Sequence, residues 1–140
     1  MQIPEEWDED LIKAWLKEAA ETLSRVPGGY FRPRVTYWPD VVQTSVYALG
    51  SGGGRPGRPA ASPKSIDRME IVLTWLFACE DADERRLVWA RACGIPWRKL
   101  EDMDGRSHVT LRKIHDRGLG AIQRKLFEQT NKMTIDQIKL

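Results

Sequence analysis

The side chains best suited to chemistry in this sequence lie in the stretch SHVTLRKIHDR, residues 107–117. Arginine and lysine donate hydrogen bonds to guanine O6 and N7, and an aliphatic side chain contacts the methyl group of thymine. At about 100° per residue, Val109, Arg112 and Lys113 fall on one side of a helix, and His108 stands near its start. We therefore expect these four side chains to face base edges in the major groove of double-stranded DNA.

The charge of the chain is distributed unevenly, although its formal net charge is only +2. Residues 5–25 contain seven acidic and three basic side chains, whereas residues 85–127 contain eleven basic and four acidic ones. The basic region attracts phosphate and the acidic region repels it. We expect Arg106, Arg117 and Arg124 to contact DNA phosphates.

Two short helical patterns joined by a glycine turn must position these residues. Pro96 stands in the first turn of the first pattern, Gly105 falls where the turn needs a positive φ, and Ser107 is an N-cap candidate. The predicted inward residues are Trp97, Leu100 and Met103 in the first pattern and Leu111, Ile114, Gly118 and Ile122 in the second. This arrangement predicts a helix-turn-helix whose second helix runs from Ser107 to Phe127. The alternative is a plain helical hairpin whose charges form a solvated face.

The stretch from Ala82 to Leu126 resembles region 4, the promoter-reading C-terminal region of bacterial sigma factors. The residues in register with that region are Gly105, Ser107, Thr110, Leu111, Ile114, Leu119, Ile122 and Leu126. The resemblance implies a helix-turn-helix in which the four residues assigned to bases above stand at the base-facing positions. Glu101 departs from the family, where a small residue is usual, and this departure bears on how the two helices pack. No core-polymerase or −10-reading region is recognisable.

A wider resemblance covers most of the chain. The segments YWPDVV, SPKSIDRM, TWL and RRLVWARACGIPWRKL are similar to an uncharacterised helix-turn-helix family encoded by alphaproteobacteria and their phages and prophages. This resemblance implies DNA binding in a bacterial or phage setting.

The Gly- and Pro-rich segment GSGGGRPGRPAASP divides the chain. We expect a helical and aromatic N-terminal segment at residues 1–49, a flexible linker at 50–63, a DNA-binding domain at 64–127 and a tail at 128–140. Because no persuasive strand alternation occurs, the predicted class is all-α. The linker motif GRPGRP resembles an AT-hook, which would make Arg55 and Arg58 a minor-groove arm. A plain basic linker is the alternative.

Amphipathic patterns predict helices on both sides of this linker. Residues 5–25 form one, and residues 40–49 a short one; beyond the linker, helices begin at Ser62–Pro63 and near Asp81. The predicted apolar positions are Trp7, Leu11, Trp15, Ala19 and Leu23 before the linker and Ile66, Met69, Leu73, Leu76 and Phe77 after it. The N-terminal aromatic residues exceed what one acidic helix covers. We therefore expect this part either to pack over the C-terminal helices or to self-associate.

Several classes of site are not supported by the sequence. Cys79 and Cys93 have no zinc-binding spacing, so we expect reduced core thiols. Walker, HExxH and GxSxG motifs are missing, and we expect no enzyme activity, cofactor or metal. The acidic cluster Glu101, Asp102 and Asp104 could hold Mg²⁺, but such a segment around a turn is usually solvated. With no secretory signal and no apolar run of bilayer length, we expect a cytoplasmic protein with no membrane partner.

These observations favour a small DNA-binding transcriptional regulator of bacterial or phage genes. One alternative is a small terminase subunit, which recognises phage DNA for packaging and assembles into rings. Another is an adaptor that contacts RNA polymerase or another protein without reading DNA.

Overall fold

The computed structural model describes residues 7–26, 38–43 and 60–138. All regular secondary structure in these ranges is helical, which confirms the all-α class. The helices are α1 (Glu9–Ser24), α2 (Pro63–Thr74), a 3₁₀ helix (Trp75–Ala78), α3 (Ala82–Ala92), α4 (Trp97–Asp104) and α5 (His108–Ile138). Residues 40–43 are also helical, at the start of the helix predicted for 40–49. The rest of that helix and residues 50–59 of the predicted linker lie outside the described residues.

Polar side chains begin three of these helices where the sequence places N-cap residues. Asp8 caps α1, Ser62 caps α2 with Pro63 in its first turn, and Asp81 caps α3. In each case a side-chain oxygen accepts a hydrogen bond from a backbone N–H of the first turn, at 2.7, 3.2 and 3.1 Å respectively. These bonds satisfy donors that have no partner inside the helix. The predicted starts at Ser62 and Asp81 are confirmed.

Most buried apolar side chains form one continuous set, which we call the main cluster. It joins α1 to α2, the 3₁₀ helix, α3 and the middle of α5. Its members are Ile12, Trp15, Leu16, Ala19, Leu23, Val26, Trp38, Val42, Ile66, Met69, Val72, Leu73, Trp75, Leu76, Cys79, Val88, Trp89, Leu119, Ile122 and Leu126. The apolar face of α1 is therefore used inside the protein. Packing over the C-terminal helices, one of the two outcomes expected for the N-terminal part, is confirmed for α1.

Three tryptophans meet where α1 packs on α2 and the 3₁₀ helix. The rings of Trp7 and Trp15 lie 5.0 Å apart edge to face, and Trp15 stacks on Trp75 at 5.8 Å. The guanidinium of Arg68 covers the outer face of this group, 3.9 Å from the centroid of the Trp15 ring. Aromatic pairs of this kind contribute about 0.5–1.5 kcal/mol each beyond their buried area. Together these contacts hold α1 against the 3₁₀ helix, which carries Trp75, and against α2, which carries Arg68.

A second, much smaller set of buried side chains lies under the junction of α4 and α5. This turn cluster consists of Leu87, Leu100, Leu111 and Ile114, with Ala90, Ile95 and Trp97 packed at its edge. Within the second helical pattern, Leu111, Ile114, Gly118 and Ile122 are all buried, as predicted. The inner face of α5 thus runs from the turn cluster into the main cluster.

Three residues predicted to be buried are exposed instead. Phe77 is 54% exposed because it lies in the 3₁₀ helix, where the tighter winding turns Trp75 and Leu76 inward and Phe77 outward. Met103 is 69% exposed, since the inner side of α4 is centred on Leu100 and Trp97. Cys93 follows the last residue of α3 and is exposed, so only Cys79 is a core thiol.

Helix α5 continues well past Phe127, where the sequence predicts its end, and reaches Ile138. Most of the predicted tail is therefore a continuation of this helix. None of the helices in the described parts of the chain is long and apolar enough to cross a membrane.

Candidate nucleic-acid interface

The turn between α4 and α5 has the geometry that its sequence predicts. Gly105 adopts φ +89°, a left-handed conformation that favours glycine, and its N–H donates to the Glu101 carbonyl oxygen at 2.8 Å. The hydroxyl of Ser107 then accepts from the Thr110 N–H at 3.4 Å, a long bond at the start of α5. Both predicted turn residues are thus confirmed. They bring the chain from α4 into α5 within three residues.

Glu101 supplies a second contact at the start of α5. Its Oε1 accepts a hydrogen bond from the backbone N–H of His108 and lies 2.6 Å from Nδ1 of the same residue. The bond from the backbone N–H, with that from the imidazole, lowers the pKa of Glu101 below its usual value. The residue that departs from the sigma-factor pattern therefore joins α4 to α5 by a side-chain contact. It also holds the imidazole of His108 beside α4, although that side chain is 55% exposed.

Arg106 lies in an ion-pair network rather than on an open surface. Its guanidinium bonds to both oxygens of Asp104, with Nε at 2.6 Å from Oδ2, and reaches Asp83 on α3 at 3.3 Å. Arg86 also contacts Asp104 at 2.8 Å. These hydrogen bonds hold the pKa of Asp104 well below its usual range. Arg106, predicted to contact phosphate, is thus already paired with carboxylates that join the turn to α3.

The first two turns of α5 present an exposed strip. Val109 is 53% exposed, and Arg112 and Lys113 are exposed on either side of it, about 60° and 40° away around the helix. Beneath them, Leu111 and Ile114 are held in the turn cluster. Three of the four residues assigned to bases therefore share one solvent-facing surface, which we call the α5 face. Asp116, also exposed, follows Arg112 by one turn and contacts His115.

The remaining basic residues of α5 lie beside an open groove. Arg117 is 66% exposed, with Nε 4.0 Å from a carboxylate oxygen of Glu84, and Arg124 is exposed farther along. Both line the groove together with Lys113 and Lys125. Four acidic residues line the same groove, namely Glu80, Glu84, Asp116 and Glu128, so a DNA backbone that follows this side of α5 would meet charges of both signs. Arg55 and Arg58, the predicted minor-groove arm, lie outside the described residues.

Trp97 has a role that its sequence position does not indicate. The guanidinium groups of Arg91 and Arg112 lie over its ring, 4.8 and 5.5 Å from the centroid, and the edge of His115 meets it at 5.3 Å. His115 is buried, and burial lowers its pKa below the usual value. Trp97 therefore supports one side of the α5 face. Because Arg91 and Arg112 lie on different helices, local spacing contains no signal for this contact.

The acidic residues of the turn do not form a metal centre. No group of three or more His, Cys, Asp or Glu side chains that could hold a metal ion occurs among the described residues. Glu101 is bonded to His108, and Asp104 is bonded to two arginines. Their carboxylates thus serve as internal acceptors at the turn.

Comparison with known proteins identifies the family of this chain. Residues 24–122 match the family described as a domain of unknown function (DUF6362), and the chain belongs to that family. The match extends from the end of α1 to the middle of α5, so it includes the turn and the α5 face. No curated protein and no solved structure matches the chain.

Proposed function

We propose that this chain binds double-stranded DNA by inserting the start of α5 into the major groove. The observation that carries the proposal is the α5 face, where Val109, Arg112 and Lys113 are exposed over the buried side chains of the turn cluster. A helix that enters a major groove contacts base edges with the residues of its first turns. The tight turn at Gly105 leaves this end of α5 at the protein surface.

The contacts within the protein indicate a different role for each group of basic residues. Arg112 and Lys113 are available to guanine O6 and N7, and Val109 lies between them for a thymine methyl group. Arg117 and Arg124 are positioned along the helix for phosphates. Arg106 is assigned to the turn instead, because binding a phosphate would require it to leave two carboxylates. His108 is oriented by Glu101, so any base contact it makes is restricted to its exposed edge.

The proposed cellular role is transcriptional regulation in the cytoplasm of a bacterium or a phage-infected cell. It is supported by the resemblance of residues 82–126 to the promoter-reading region of sigma factors. RNA polymerase is the protein partner that this resemblance implies. The basic character of the region from Arg85 to Phe127 favours a nucleic acid as the primary ligand.

Fluorescence anisotropy with labelled duplexes tests the DNA-binding proposal. We expect the wild-type protein to select a subset of genomic fragments, with affinity falling as salt rises from about 50 to about 200 mM. Arg112→Ala should cost about 1–3 kcal/mol on the selected site and relax preference at one base pair. Lys64→Ala, which removes one charge from an exposed residue at the start of α2, is the matched control.

Two results would contradict this proposal. If Arg112→Ala weakened binding to every sequence equally, its role would be electrostatic rather than base-specific. If the wild-type protein bound no duplex at low salt yet bound RNA polymerase, the adaptor function would replace DNA recognition.

A small terminase subunit is the second candidate, and one observation favours it. Helix α5 has 31 residues, a length of about 46 Å, and continues beyond Leu126, the last buried member of the main cluster. Phe127 is 65% exposed on this extension. Ring-sized assemblies in light scattering would support the packaging role. A monomer or dimer that still selects DNA sequences would support the regulator.

A further inference from the structure

We propose that a cavity between α1 and α5 binds a small organic anion with a planar body, and that this ligand competes with DNA for Arg112. The cavity has a volume of about 430 Å³, within the usual range of small-molecule sites of about 300–1,000 Å³. Its walls come from α1, α3, α4 and α5. The competition rests on the proposed DNA-binding function, whereas the ligand site itself does not.

The cavity gathers cations from three helices. Lys13 and Lys17 come from α1, Arg91 from α3 and Arg112 from α5. Lys13 is paired with Glu9 at 3.3 Å, but Lys17, Arg91 and Arg112 form no ion pair with a carboxylate among the described residues. Three cations that converge without carboxylate partners repel one another, and an anion placed between them removes that repulsion. The cavity therefore favours a carboxylate or phosphate group.

The remaining walls fit a planar apolar body. The accessible apolar part of the lining is the half-buried Trp97 ring together with Ala92, whereas Leu16, Val88 and Leu119 are almost fully buried. Arg91 donates to the Ile95 carbonyl oxygen at 2.9 Å, which holds its guanidinium over Trp97. The cavity thus combines one aromatic wall with fixed polar groups, an arrangement that suits a planar anion. Glu9 and Asp116 also line the cavity, and with its four cations these two carboxylates leave it a formal net charge of +2.

Arg112 connects this cavity to the α5 face. It lines the cavity and lies over Trp97, and it is also the arginine that we assign to a guanine. The Arg112 guanidinium cannot hydrogen-bond to an anion in the cavity and to a guanine base at the same time. A bound anion also cancels positive charge beside the DNA. Ligand and DNA should therefore weaken each other, and by the same factor.

Isothermal titration calorimetry of the full chain with 2-naphthoate, without DNA, tests the site. We expect saturable binding of one equivalent of 2-naphthoate. Binding of 2-naphthamide, which lacks the negative charge, and of inorganic phosphate, which lacks the planar apolar body, should each be at least about tenfold weaker. Arg91→Ala and Lys17→Ala should each reduce naphthoate affinity about tenfold, whereas Lys64→Ala should leave it unchanged. Lys17 is exposed on α1, so its variant should fold normally, which circular dichroism would verify. Equal binding to all variants, or no binding at millimolar naphthoate, would overturn the proposed site.

A second measurement separates the site from its coupling to DNA. In anisotropy, naphthoate should raise the apparent Kd of the selected duplex for the wild-type protein and have much less effect on Lys17→Ala. If naphthoate binds but the DNA affinity does not change, the proposed competition is wrong, while the proposed ligand site still stands. Ligand binding by a protein that binds no DNA would instead overturn the proposed function.

Discussion

The main cluster and the turn cluster hold their helices together in different ways. The main cluster relies on apolar burial and includes Trp15 and Trp75, whose stacked rings join α1 to the 3₁₀ helix. The turn cluster has only four buried side chains, and polar contacts surround it: Glu101 with His108, and Asp104 with Arg106 and Arg86. The hydrophobic effect is not directional, whereas hydrogen bonds require specific distances and angles. The comparison indicates that the main cluster holds α5 against the other helices. The polar contacts around the turn cluster fix the orientation of the first turns of α5.

The largest expected effect compares leucine truncations in the two clusters. Leu76→Ala removes a fully buried side chain from the main cluster, and Leu100→Ala removes one that is 6% exposed from the turn cluster. Leu→Ala changes in cores cost about 2–5 kcal/mol, and we expect Leu76 near the upper end and Leu100 near the lower. Chemical denaturation measures both costs.

The losses of DNA affinity in these two variants should follow the opposite order to their losses of stability. At a temperature where both variants are folded, Leu100→Ala should weaken anisotropy-detected DNA binding more than Leu76→Ala, because it loosens α4 beneath α5. Equal losses of DNA affinity in the two variants would mean that the turn cluster does not set the orientation of α5.

Two glycines of α5 provide a matched pair of smaller effect. A Cβ added at Gly118 would lie 2.9 Å from the Val88 side chain and 3.2 Å from Cβ of Glu84, whereas Gly120 has only Arg124 nearby, at 3.8 Å. Gly118→Ala should therefore destabilise the protein by about 1–3 kcal/mol, since α3 must move away from α5. Gly120→Ala should stabilise it by about 0.5–1 kcal/mol, the usual gain in a helix interior. Thermal unfolding checks both, and a stabilising Gly118→Ala would show that this contact is not close.

The smallest expected effect concerns the ion pairs of the turn. Asp104→Asn should lower the midpoint of unfolding at pH 7, whereas Asp102→Asn, which removes the same charge from an exposed neighbour, should change it little. The pKa of Asp104 is depressed, so its carboxylate stabilises the folded state above the unfolded pKa of about 3.9. That advantage decreases as the pH falls from about 4 toward the folded pKa. A difference between Asp104→Asn and wild type that persisted undiminished at still lower pH would exclude an ionic origin.

Much of the local structure was predictable because its causes lie within a few residues. The side chains of Ser62, Asp81 and Ser107 accept hydrogen bonds from backbone N–H groups in the first turn of the helix that follows. Gly105 adopts a left-handed conformation that glycine takes without steric cost. The errors arose where local rules compete with packing. Phe77 is turned outward by a change from α to 3₁₀ winding that apolar spacing does not indicate.

The sequence by itself determined the all-α class, the starts of α2, α3 and α5, the glycine turn and the buried stripe of α5, because helical periodicity and capping act over one or two turns. It also determined that Val109, Arg112 and Lys113 share a side of that helix. Only the tertiary structure decided that Arg106 pairs with Asp83, that Arg91 and Arg112 meet over Trp97, and that α1 closes a cationic cavity beside α5. Each of these contacts joins residues from different helices, and relative helix positions depend on how the whole core packs rather than on any one segment.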